Sequence, residues 1–249
     1  MTWIETATIG ILPLFLLLDW LRAPAADAGA RQWRRRAGVI TAFNFVLSLL
    51  IGKTYAAIVG DAHLLDGASL GTALGAITGV VVYEFFHYWY HRSAHRWTWL
   101  WLSGHQMHHS AERLDAWGAY FLHPLDGFVF LTLSSLVLYP LLGLSPEAGA
   151  WATAVLTFLA VFQHAGVRTP GWLGALIQRP ESHAIHHQQG VHAYNYADLP
   201  LWDMVFGTYR NPQTALPRAP VGFYDGASSR IVDMLRFRDV SKPAGCARK

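Results

Sequence analysis

Cysteine is nearly missing from this chain: its 249 residues include one, Cys246, near the C-terminus. That excludes an intrachain disulfide framework and an iron–sulfur cluster held by thiolates, and leaves Cys246 as an incidental tail residue. Charge is scarce as well. Asp, Glu, Lys and Arg make up 14% of the residues, against about a quarter in soluble domains. The sequence pI is near 9.1, yet no basic run is interleaved with a recognisable nucleic-acid module, so nucleic acid is not an expected partner. There is no low-complexity segment and no flavin, dinucleotide or haem motif. Hydrophobic residues, in contrast, make up 53%, with eleven Trp and ten Tyr, a profile that fits a membrane protein.

Five apolar segments follow one another: Thr2–Leu21, Ala37–Val59, Ser69–Tyr90, Leu125–Leu144 and Glu147–Gly166. Each is near the ~20 residues that cross ~30 Å of hydrocarbon. The first has no basic leader and is flanked by Glu5 and Asp19, which argues against a signal peptide. A short turn, Leu144-Ser-Pro-Glu147, makes the last two a helical hairpin, whether it crosses fully or dips and returns. Of the nineteen Lys and Arg, eighteen fall in the connection 22–36, the connection 92–124 or the region after Gly166; Lys53 alone lies in an apolar segment and has no assigned role. By the positive-inside rule those regions face the cytoplasm and the N-terminus faces out.

The thirteen histidines fall mostly on that same cytoplasmic side. His91 and His95 are four apart at the end of the third segment. His105, His108 and His109 read H-x-x-H-H, and His183, His186 and His187 repeat the pattern. On a helix such spacings share one face, so each set is expected to aim its imidazoles at a common point. At this histidine frequency, chance matches to H-x-x-H-H number on the order of 0.03 per chain. Two therefore signal a site. Neutral imidazole suits iron, zinc and copper. The eight box histidines, with His123 and His164 as further ligands, exceed what one ion takes and imply two metals. No box contains the general-base carboxylate of H-E-x-x-H that a zinc hydrolase needs, and the carboxylate-rich pattern of soluble di-iron bundles is missing. Paired haem ligands would face each other within the bilayer instead of clustering at one edge. A non-enzymatic haem or metal-binding membrane protein is the reading from a different class.

At these residues the sequence resembles the fatty acid hydroxylase superfamily, also called the sterol desaturase family, from about Val80 to Tyr209. Glu84 leads into Tyr88-Trp89-Tyr90-His91-Arg92-Ser93-Ala94-His95. The second box is His105-Gln106-Met107-His108-His109-Ser110, followed by His123-Pro124 and the isolated His164. The third box precedes Asn195-Tyr196 and Leu201-Trp202-Asp203-Met204-Val205-Phe206-Gly207-Thr208-Tyr209. Three positions depart from the family: Glu84 where Asp is usual, Phe121 where Arg often stands, and Gly166 in place of Asn.

The resemblance implies an integral membrane di-iron enzyme that uses O2 to hydroxylate or desaturate a lipid C–H bond, on a sterol, fatty acyl, alkylglycerol or carotenoid substrate. Two electrons per turnover must come from a separate cytochrome, rubredoxin or ferredoxin. The expected fold is an all-α bundle of four to five transmembrane helices with a cytoplasmic helical cap. Residues 1–79 are N-terminal transmembrane helices, 80–210 the catalytic region and 211–249 a cytoplasmic tail. Metal-bound histidines need acceptors on their other ring nitrogen, and Glu84, Glu112, Asp126, Glu181 and Asp203 lie near the boxes. Glu84 is the strongest candidate, being ionisable within an apolar segment. His87, one turn before His91, is expected to support the site or line its cavity. His192 is either a supporting or a surface residue. Asn195 and Asp203 join the site by packing the cap against the last box. Trp97, Trp99 and Trp101 are read as an interfacial belt.

Overall fold

The apolar runs fold as helices because a helix satisfies its backbone amides within one segment, as hydrocarbon requires. The computed structural model describes residues 2–22, 28–59, 62–212 and 220–243; Cys246 and the Lys53 side chain lie outside the described residues. Helix α1 spans Trp3–Arg22, α2 Ala28–Val59 and α3 Gly71–Arg96. A short turn, Thr98–Leu100, runs into a π turn at Trp101–His105 and then α4, Gln106–His109. Helix α5, Pro124–Leu136, continues through a second π turn at Val137–Leu141, and α6 spans Pro146–Phe162. The short helices α7 (Pro180–His186), α8 (Leu201–Val205) and α9 (Ile231–Leu235) complete the cap.

The fold is thus all-α. Among the described residues, four stretches are long and apolar enough to cross a membrane: Trp3–Arg22, Ala28–Gly52, Gly67–Arg96 and Pro124–Leu141. The fifth expected segment is the 17-residue α6. At 1.5 Å per residue it reaches about 26 Å, short of ~30 Å of hydrocarbon. Helix α2 begins earlier than expected, since Arg31–Arg36 belong to its first turns instead of a loop.

Helix α6 lies between α1 and α3, and α5 packs on α2. The α3–α6 contact is close because small residues meet there. A side chain on Gly75 would touch Ala148 at 3.1 Å, and one on Gly79 would meet Leu144 at 2.8 Å and Ala152 at 3.2 Å. Small residues four apart on each helix let backbones approach, which matters where helix association gains little from apolar burial. Val80, Leu138, Leu156 and Leu159 fill the core around this contact. That packing positions α3, whose C-terminal end carries the first box.

The chain after 220 returns over the second box. Met107, Phe121 and Trp33 form one buried cluster with Phe223, Met234 and Val240. Gln106 ties the two together: its side-chain amide donates to the Arg238 carbonyl at 2.9 Å and accepts from the Val240 N–H at 3.2 Å. Ser228 adds a latch, donating to Glu112 from its hydroxyl and its N–H and accepting from Arg36.

Candidate metal centre

Helix α3 carries the first box straight to its end, so His91 and His95 share a face one turn apart. The π turn at Trp101–His105 rotates His105 inward, a distortion commonly found at functional sites. His108 and His109 follow on α4. His164 sits just past α6, and α7 delivers His183, His186 and His187. Nine imidazoles from these elements fall into two groups. His91, His95, His105, His109 and His186 form one; His108, His164, His183 and His187 form the other. Within each group the ligand atoms lie within 4.8 Å of one another.

This division corrects the expectation that each box aims at one point. His105 and His109 go to one group and His108 to the other; His186 goes to the first, His183 and His187 to the second. Residues four apart on a helix are ~40° apart around its axis and residues three apart ~60° the other way. A box of this spacing therefore straddles two points. The rings of His109 and His187 stack at 4.2 Å where the groups meet.

The donor chemistry fits metal ions. The Nδ1 atoms of His91 and His186 face the carbonyls of Tyr196 (2.5 Å) and Tyr194 (2.7 Å). His105 Nδ1 meets Asp126 Oδ2 at 2.9 Å, and His164 Nδ1 meets the Ala160 carbonyl at 2.7 Å. With each Nδ1–H donated outward, the Nε2 lone pair points into the group. The Nε2 atoms of His91, His95 and His186 are buried without a hydrogen-bond partner. In the second group, Nε2 atoms stand 3.0–3.1 Å apart between His108 and His164, His164 and His183, and His183 and His187. That spacing is the length of N–H···N hydrogen bonds in one tautomer and the separation of ligands around a shared cation in the other. Burial, with neighbouring imidazoles adding to it, holds His108, His109, His183, His186 and His187 well below the usual imidazole range. Burial brings His164 down to about 4. These rings are thus neutral and free to ligate.

A strap, residues 192–199, aims the outward acceptors. His192, Tyr194 and Asn195 all have positive φ, of 41°, 68° and 50°. Asn tolerates that region better than most residues, and its amide is pinned: it donates to the carbonyls of Ser182 and Arg210 and accepts from the Arg210 N–H. Asp203 accepts the N–H groups of Tyr196 and Ala197 at 2.9 and 2.8 Å. Glu84 accepts those of Asp198 and Leu199 at 2.8 and 3.3 Å. Two carboxylates thus hold four consecutive amides. Glu84, Asn195 and Asp203 touch the strap, and through it the ligands.

The other expected residues are placed as follows. His123 joins neither group. Its Nδ1 accepts the Leu125 N–H at 3.1 Å and caps α5, with its ring against Phe237. His87 stacks on His91 at 5.5 Å and lies beside Glu84. Glu112 serves the Ser228 latch, and Glu181 bonds Thr169. Trp97 and Trp99 are exposed, while Trp101 packs on His95 and His109. His192 Nδ1 meets His109 Nδ1 at 3.0 Å. Residues that sequence reasoning missed include Tyr90, whose hydroxyl donates to Asp126 at 2.5 Å, and Asp198 and Gln163, bonded at 2.7 Å. The carbonyls of Ala160, Tyr194 and Tyr196 were also out of reach, since a backbone acceptor leaves no residue-type signal.

The arrangement is two adjoining histidine clusters that could each hold a metal ion, at the end of helices long and apolar enough to cross a membrane. The fatty acid hydroxylase family profile matches residues 76–208, just over half of the chain, and the chain belongs to that family. Among its relatives, the ornithine lipid hydroxylase OlsE of Rhizobium tropici is 34% identical over 206 residues, covering 73% of this chain and 61% of the relative. Sphinganine C4-monooxygenase 1 of Arabidopsis thaliana is 29% identical over 151 residues, covering 59% of this chain and 58% of the relative. The alkylglycerol monooxygenase of Homo sapiens is 32% identical over 133 residues, with coverage of 51% and 28%. The chain thus spans about six-tenths of the length of the first two. No solved structure gives a significant match.

Proposed function

We propose that this chain is a membrane-bound di-iron oxygenase that hydroxylates an unactivated C–H bond of a long-chain lipid with a polar head. The observation that carries the reading is the set of nine imidazoles, eight buried and His95 half-buried, in two adjoining groups, with His91, His105, His164 and His186 tied to acceptors at Nδ1. Neutral nitrogen ligands with open positions suit non-haem iron and O2, and the three relatives bear the names of lipid hydroxylases and monooxygenases. His91, His95, His105, His109 and His186 would hold one iron; His108, His164, His183 and His187 the other. When bound, the irons supply activation of O2 and the oxidising equivalents for C–H cleavage.

The chain's own residues bind, orient and exclude water. Asp126 and the Tyr194 and Tyr196 carbonyls fix three rings in the tautomer that ligates. The cap of α7, α8 and the returning tail shields the site, so side reactions with bulk water are suppressed. The substrate's chain enters from the bilayer, where α3 and α5 carry ligands and acceptors to the membrane edge. By the distribution of basic residues the site faces the cytoplasm and the N-terminus the other side. There a cytochrome, rubredoxin or ferredoxin would deliver two electrons per O2.

The test is expression in a host of defined lipid content under 18O2, with lipids read by mass spectrometry. A lipid gaining one labelled oxygen is expected. A product that loses two hydrogens instead would replace hydroxylation with desaturation, and an unchanged profile with a Soret band in the purified protein would point to a haem protein.

A further inference from the structure

A third cluster lies deeper in the bundle. Glu84 and His87 on α3 and Asp198 on the strap converge so that one ligand atom from each lies within 4.8 Å of the others. All three are buried, at 0, 5 and 6% exposure, with His87 one turn and Glu84 two turns of α3 before His91. Two carboxylates in that setting need compensating positive charge. Among the described residues, the basic group within ion-pair distance of either is His87.

The distances argue against a simple ion pair. A charge-assisted N–H to carboxylate bond is ~2.7–2.9 Å long, and in this same molecule His105 and Asp126 meet at 2.9 Å. His87 Nδ1 instead stands 3.3 Å from Glu84 Oε2 and 3.9 Å from Asp198 Oδ1. Neighbouring ligands on an ion with bonds of ~2.0–2.2 Å stand roughly 3–4 Å apart. Two oxygens are also left over. Glu84 Oε1 and Gln163 Oε1 are buried with no hydrogen-bond partner, and Gln163 reaches the cluster through its bond to Asp198 Oδ1.

We propose that Glu84, His87 and Asp198 form a separate site for one divalent transition-metal ion, distinct from the nine-histidine centre. Two carboxylates and a neutral imidazole match a dipositive charge, and the oxygen-rich donor set suits manganese, iron or zinc. An ion there ties Asp198 to α3. It thereby fixes the strap that presents the Tyr196 carbonyl to His91.

The test uses the full chain in nanodiscs, loaded with Mn2+ alone and washed. Ions per chain are counted by mass spectrometry, and isolated Mn2+ is read as an uncoupled six-line EPR spectrum. Wild type is expected to show that spectrum. Asp198→Asn and Glu84→Gln are each expected to lose it, with one ion fewer per chain. His183→Ala is expected to keep it while losing metal from the nine-histidine centre. Failure of the oxygenase reading would leave the isolated signal in place. Absence of that signal in wild type overturns the proposal and makes His87 an imidazolium shared by two carboxylates. Its persistence in both carboxylate variants also overturns it, by placing the ion elsewhere.

Discussion

Asp126 belongs to neither histidine group and yet supports the first, holding His105 through one oxygen while the Tyr90 hydroxyl donates to the other. Partners of this kind are worth 10–100-fold in metal affinity. Asp126→Asn is therefore expected to weaken metal binding by about that factor in a chelator competition, with helicity unchanged. A second carboxylate predicts a pH effect. Burial pushes Asp115 up to about 6, against the pull of the Trp33 N–H it accepts. The folded protein thus prefers the neutral acid, while the unfolded chain ionises near ~3.9. Stability from this group is full below pH ~4 and is lost as pH rises through 6, by about 3 kcal/mol at most. Asp115→Asn keeps the acceptor and loses the charge, so its melting temperature should gain on wild type between pH 4 and 7. Equal shifts for both proteins would count against it. Sequence placed Asp126 among five candidate acceptors but could not name its partner, 21 residues away, and Asp115 left no signal of its partner 82 residues away.

Helices were far more legible than their faces. Length and hydropathy alone marked α1, α2, α3 and α5, since a bilayer-crossing run has few alternatives. The histidine spacing likewise marked out the rings that gather into two groups. What spacing could not show is that a box divides between them, for that depends on the roll of α4 and α7 about their axes and on the π turn before α4. His123 illustrates the same limit: a histidine before a proline reads alike whether it ligates or caps. The α3–α6 contact makes the element-scale prediction. A methyl on Gly79 would meet Leu138 at 2.9 Å and Leu144 at 2.8 Å, and such overpacking costs typically ~1–3 kcal/mol. Gly79→Ala should lower the thermal midpoint in detergent, whereas Gly10→Ala, with open space around it, should not.

At the scale of the whole molecule, the tail closes the site that the membrane helices open. Met234 is fully buried against Met107, between the second box and the returning chain. Met234→Ala removes that anchor at a cost of about 2–5 kcal/mol if the fold cannot relax. The cap should then open more often, and metal should leave faster into excess chelator while the membrane helices stay folded. An unchanged release rate would show that the cap does not gate the ions.

The division of each H-x-x-H-H box sets how the centre can be filled. Because α4 and α7 each lend rings to both positions, an ion seated at one already aligns half of its neighbour's cradle. Chains carrying a single ion should then be scarce when metal is limiting, and a population starved of it should split into full and bare molecules.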